Sequence, residues 1–193
     1  MSLCSKRLIL FDFFGVLADE VAPKWFSNHI KDKGEANRLK NFYFEKGDLG
    51  EYTFKETIEN MASDLGYDKD DILNEMISYG KLNLPLLDMV KELRKKNTVC
   101  LLSNACDGIF ELLFPNLDFK EYFDKWFISC YYKIKKPDLR FYNLAVDILN
   151  QEFDEIYFID DNMNNVSVLE NTKIKGIQYT NLDTIMQFLK EFI

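Results

Sequence analysis

Five short, apolar, β-prone runs punctuate this chain, and from residue 81 onward they alternate with helical patterns. The runs fall at 7–11, Thr98–Ser103, Trp126–Ser129, Glu155–Ile159 and 175–179. Helical patterns occupy Pro85 to Lys96, Pro137–Leu149, 162–172 and 182–192. Strands that alternate with helices form parallel βαβ units with right-handed crossovers. Roughly residues 18–80 show no strand signal. There, Pro23 opens a helix to about Lys33, and a second pattern covers about 35–46. Gly47-Asp48-Leu49-Gly50 then breaks the chain. Thr53-Phe54-Lys55-Glu56 reads as a capping box opening a helix to about Leu65, and a further helix runs from about Lys69 to Tyr79. The expected fold is α/β: a doubly wound, Rossmann-like parallel sheet made of residues 1–17 and 81–193. A helical segment, 18–80, is inserted after its first strand.

Composition narrows the function. The chain has 193 residues, 47% of them hydrophobic, which suffices for one compact domain and a modest insertion. A formal net charge of −8 disfavours nucleic acid and anionic membrane surfaces as partners. Any anionic substrate must therefore be met by local cations, a metal or helix N-termini. Cys4, Cys100, Cys106 and Cys130 form no CxxC pair, so a zinc site is not expected. With no signal-peptide pattern and no run near 18 apolar residues, a cytoplasmic, reduced location is expected.

In sheets of this kind ligands sit beyond the carboxyl ends of the strands. Four segments deliver polar residues to that edge. Asp12 follows the first strand, in Leu8-Ile9-Leu10-Phe11-Asp12-Phe13-Phe14-Gly15. A carboxylate there serves either as a turn residue or as a nucleophile able to accept a phosphoryl group. Ser103 and Asn104 end the second core strand, where helix N-caps favour the same types. Lys136 stands beside Pro137 in Lys135-Lys136-Pro137-Asp138-Leu139-Arg140-Phe141-Tyr142, and Pro137 suits a first helical turn. Asp160 and Asp161 end the run Ile156-Tyr157-Phe158-Ile159, with Asn162, Asn164 and Asn165 behind them. Adjacent carboxylates of this kind suit a hard cation with oxygen ligands, and without one their like charges are costly.

These four motifs, in this order, resemble those of the haloacid dehalogenase (HAD) superfamily. The run Lys-Pro-Asp-Leu-Arg-Phe-Tyr at 136–142 and Asp-Asp-Asn-Met-Asn-Asn-Val at 160–166 are similar to those of the subgroup with a small helical cap after strand one. That subgroup includes glucose-1-phosphatase-like enzymes and the N-terminal domain of soluble epoxide hydrolases. The resemblance implies Asp12 as nucleophile, Ser103 and Asn104 as phosphate-binding groups, and Lys136 as the cation pairing with Asp12 and the phosphate. It implies Mg2+ held by Asp12, the Phe14 backbone carbonyl and Asp161, with Asp160 direct or in the outer shell. Residues 18–80 would be the cap, offering substrate contacts from among Asp19, Trp25, Phe44 or Glu45. The lone histidine, His29, would be structural or reach the substrate from the cap.

One position departs from the pattern. Most phosphatases of the superfamily carry a second Asp, the general acid and base, where this chain has Phe14. Phe14 offers only its backbone. Three readings follow: a Mg-dependent phosphatase of a small phosphorylated metabolite, such as a sugar phosphate; a dehalogenase- or phosphonatase-like hydrolase; or a degenerate protein that binds a ligand or partner without turnover. The first is the expectation, for a monomer or homodimer.

Overall fold

The computed structural model describes residues 6–193; residues 1–5, Cys4 among them, lie outside the described part. Five strands form one sheet: β1 (Arg7–Phe11), β2 (Thr98–Ser103), β3 (Lys125–Ile128), β4 (Glu155–Asp160) and β5 (Ile174–Gln178). The order is β3-β2-β1-β4-β5, and every pairing is parallel. The chain runs outward from β1 to β3, then returns to pair β4 against the other side of β1. That reversal opens a crevice at the carboxyl ends of the central strands.

Alternation along each strand divides the side chains between two cores. Ile9, Phe11, Val99, Leu101, Tyr157 and Ile159 face one side, and Leu8, Leu10, Cys100, Leu102, Ile156 and Phe158 face the other. Because helices cover both faces, the strands read as continuous apolar runs rather than as polar–apolar alternation. Helices α5 (Leu84–Arg94) and α10 (Leu182–Leu189) pack against the first face. Helix α8 (Leu139–Leu149) brings Phe141, Tyr142 and Ala145 to the second. The expected doubly wound α/β sheet is therefore the observed one.

Between β1 and α5 lie α1 (Ala22–His29), α2 (Lys33–Asp48), α3 (Phe54–Leu65) and α4 (Lys69–Tyr79). Their apolar faces join the first core, through Phe26, Phe44, Phe54 and Met76. The capping box of α3 forms in both directions: Thr53 Oγ1 accepts from Glu56 N–H at 3.2 Å, and Thr53 N–H donates to Glu56 Oε2 at 2.7 Å. The expected break at Gly47 is corrected. Helix α2 continues through Gly47 and Asp48, and Gly47 is buried. A Cβ there would collide with Cys106 Sγ, so this glycine permits close approach of the helix to the core rather than ending it.

Other boundaries shift. Pro137 precedes α8, one of the two arrangements its position allowed; Asp138 is the N-cap and accepts from Arg140 N–H at 2.9 Å. The helix expected over 162–172 shortens to α9 (Met163–Ser167). Two short helices had no strong periodic signal: α6 (Ile109–Leu113) and α7 (Ser129–Tyr132). No helix among the described residues is long and apolar enough to cross a membrane.

Candidate active site

A pocket of about 470 Å³ opens at the carboxyl ends of β1, β2 and β4. Its floor is ionic. Lys136 is 2% exposed, and its ammonium lies 2.8 Å from Asp12 Oδ1 and 2.7 Å from Asp160 Oδ2. Burial disfavours the Lys136 charge, but the two carboxylates outweigh it and hold its pKa above the usual lysine value. Asn104 fixes the lysine's backbone from β2. Its Nδ2 donates to Lys136 O at 2.9 Å and its Oδ1 accepts from Lys136 N–H at 2.8 Å. Both ends of the Asn104 amide are thus committed to positioning Lys136. Asn104, expected to bind phosphate, also lines the pocket.

Asp160 is equally committed. Besides the Lys136 ammonium it accepts from Asn162 N–H at 2.8 Å, and from Asn165 Nδ2 at 3.2 and 3.0 Å at its two oxygens. Asn165 in turn accepts at its backbone carbonyl from Tyr142 Oη at 2.8 Å. With its lone pairs occupied and no exposure, Asp160 holds Lys136 and the loop in place.

Asp12 and Asp161 are the carboxylates left with unused oxygens. Asp12, Asp160 and Asp161 offer ligand atoms all within 4.8 Å of one another. Burial pushes the Asp12 carboxyl up, with Asp160 adding to the rise and Lys136 opposing it. Burial and the Asp160 charge likewise raise Asp161. Three clustered carboxylates against one ammonium leave an excess of buried negative charge that a divalent cation would neutralise. The donor set, all oxygen, fits Mg2+. Gly15 makes the cluster possible. It has φ +83°, and any side chain there would occupy the space of the Asp161 carboxylate.

Ser103 ends β2 fully buried, and its Oγ has no hydrogen-bond partner among the described residues. An unpaired buried hydroxyl is costly unless a ligand completes it. Phe14 also lines the pocket, and its aromatic ring is buried. That ring stacks on Phe110 at 5.8 Å and meets Phe13 edge-on at 5.1 Å, in a cluster with Phe114.

The opposite wall comes from the helical segment. Lys40, Asn41, Phe44, Glu45 and Asp48 of α2 line the pocket, as does Glu20 ahead of α1. Asn41, Phe44, Glu45 and Asp48 follow the i, i+3, i+4, i+7 spacing of one helix face. Glu45 pairs with Lys135 across the mouth at 3.2 Å. Glu20 reaches solvent at the rim, yet the crowding of the cleft and the Asp161 charge push its carboxyl up to about 7. Of the substrate contacts expected from the cap, Phe44 and Glu45 line the pocket, whereas Asp19 and Trp25 do not. Trp25 is fully buried and stacks on His29 at 4.4 Å, and His29 pairs with Glu75 at 2.7 Å. That histidine joins α1 to α4, away from the pocket. Glu20, Asn41 and Asp48 escaped the sequence reading. For Asp48 the spacing on α2 was the available signal, hidden by the assumed break at Gly47.

A family profile described as haloacid dehalogenase-like hydrolase matches residues 6–171. The chain belongs to that family. A HAD family enzyme of Bacteroides thetaiotaomicron, solved as a magnesium complex, superposes with a TM-score of 0.78 at 22% identity, covering 95% of this chain and 98% of that one. L-2-haloacid dehalogenase of Xanthobacter autotrophicus superposes with a TM-score of 0.62 at 16% identity, covering 96% and 83%. Bifunctional epoxide hydrolase 2 of Sus scrofa is 26% identical over 96% of this chain; the chain spans only 38% of that protein's length. The family and the doubly wound fold agree with the sequence expectation, and the HAD chain is a hydrolase by family.

Proposed function

We propose that this HAD-like hydrolase is a Mg2+-dependent phosphatase of a small phosphorylated metabolite, working through an aspartyl phosphate on Asp12. The observation that carries the reading is the Lys136 ammonium, buried between Asp12 and Asp160 beside the free oxygens of Asp161. Lys136 screens the nucleophile from the incoming phosphate dianion and orients its attacking oxygen. The orphaned Ser103 hydroxyl supplies a donor for a phosphoryl oxygen. Asp12 and Asp161, with the Phe14 carbonyl, would hold Mg2+, which supplies charge neutralisation for the phosphoryl oxygens. The helical segment acts as the cap that excludes water and selects the leaving group. The magnesium and phosphate complex of the Bacteroides relative supports the reading by analogy.

The dehalogenase alternative draws on the aromatic Phe14, but the acid pair Asp160-Asp161 has no use in expelling halide. Phosphate release from a panel of sugar phosphates and p-nitrophenyl phosphate tests the proposal, with magnesium or with EDTA. Release that needs magnesium and vanishes in Asp12→Asn is expected. Halide release from 2-haloacids without phosphate release would replace this reading with the dehalogenase one.

A further inference from the structure

The reaction has a gap that Phe14 leaves open: a group must protonate the leaving oxygen and then deprotonate water. Resting on the phosphatase reading, we propose that Asp48 of α2 is that acid and base, delivered from the cap wall in place of the motif-one carboxyl.

Four observations carry this. Asp48 lines the same pocket as Asp12, from the α2 wall. Its carboxyl makes no hydrogen bond or ion pair among the described residues, so it is available to a substrate, unlike Asp160 or the Lys135-paired Glu45. Gly47 brings it there. Without a side chain at 47, α2 lies against Cys106, so the residue that follows ends the helix half-buried in the pocket wall. Finally, its half-buried setting suits the chemistry. The charged groups around it are Lys40 and Glu45 on α2 and Lys135 and Lys136 on the loop after α7; the Cys106 and Cys130 thiols complete its surroundings. Burial dominates these and pushes the carboxyl up to about 7, so at neutral pH both protonation states are populated. Glu20 has a similar tendency, but Asp161 is among the charges acting on it, and a cation held by Asp161 would keep it ionised.

The steps balance. An Asp12 carboxylate oxygen bonds to phosphorus, and the bond from phosphorus to the leaving oxygen breaks. Its electron pair stays on that oxygen, which takes the Asp48 proton and departs as the alcohol. Water then bonds to phosphorus while Asp48 takes its proton. The Asp12–phosphorus linkage breaks, returning the Asp12 carboxylate and releasing inorganic phosphate.

The test is the first-turnover burst of phenol release, with magnesium, from aryl phosphates running from dinitrophenyl to unsubstituted phenyl phosphate. Asp48→Asn is isosteric, and its melting temperature is measured alongside. Dinitrophenolate needs no proton to leave, so its burst should stay within about threefold of wild type, while the phenyl phosphate burst should fall by about 10²-fold or more. Acid quenching should then trap more aspartyl phosphate in the variant, because water activation is slowed. An equal loss across the series, or none, overturns the proposal. So does the same leaving-group dependence appearing in Glu20→Gln and not in Asp48→Asn. A wild-type protein that releases phosphate from no member of the series fails the phosphatase reading itself, which distinguishes the two failures.

Discussion

On the core wall of the pocket, the Lys136 ammonium, both Asp160 oxygens and both ends of the Asn104 amide have protein partners. On the α2 wall, Lys40, Asn41 and Asp48 make no such contacts among the described residues, and the Glu45–Lys135 pair is only half-buried. The first wall is over-determined: each group is held by neighbours whose own hydrogen bonds are satisfied, as a site that must hold its geometry requires. The second wall keeps its hydrogen-bonding capacity in reserve for whatever enters. The contrast separates a wall held fixed by its own contacts from one whose polar groups, Asp48 among them, are left for a ligand.

The largest effect should come from breaking the core wall. Lys136→Met leaves two buried carboxylates without their cation, so a loss of about 3–5 kcal/mol is expected by urea unfolding, together with loss of turnover. Next is the contact that joins the walls. Gly47→Ala forces α2 away from Cys106 and should cost about 1–3 kcal/mol, raising KM as the α2 side chains are displaced.

Asp48 gives a pH signature of opposite character to an ordinary ion-paired carboxylate. Its folded pKa of about 7 lies above the ordinary 3.8, so the fold holds its proton more tightly than the unfolded chain does. The resulting stability is complete below about pH 4 and is lost as the pH rises to about 7. Unfolding at a series of pH values should show wild type losing stability relative to Asp48→Asn over that window. The smallest effect is expected at the mouth. The Glu45–Lys135 pair, with Glu45 open to solvent and Lys135 half-buried, should couple by about 1 kcal/mol in a double-mutant cycle with Glu45→Gln and Lys135→Met.

Much of this division was legible before any coordinates. Leu8-Ile9-Leu10-Phe11 reads as a buried strand, and the Thr53/Glu56 pair marks its helix start. Four polar segments at strand ends pointed to one edge of the sheet. What stayed hidden was decided by tertiary contact. Gly47 looks like a helix breaker until Cys106 is placed beside it. That the Asn104 amide also holds the Lys136 backbone shows only once the two loops are placed together. The short helices α6 and α7 are set by packing rather than by periodicity or caps: neither has a side-chain cap hydrogen bond.

The face of α2 at 41, 44, 45 and 48 has an evolutionary consequence. On the proposed reading, a substrate preference carried by one helix face could be revised one side chain at a time. Substitutions at 41 or 45 meet solvent and ligand rather than the Lys136 network, so lineages can explore new leaving groups while the reacting wall stays fixed. At 48 the same freedom ends, since there a change of preference would also change the chemistry.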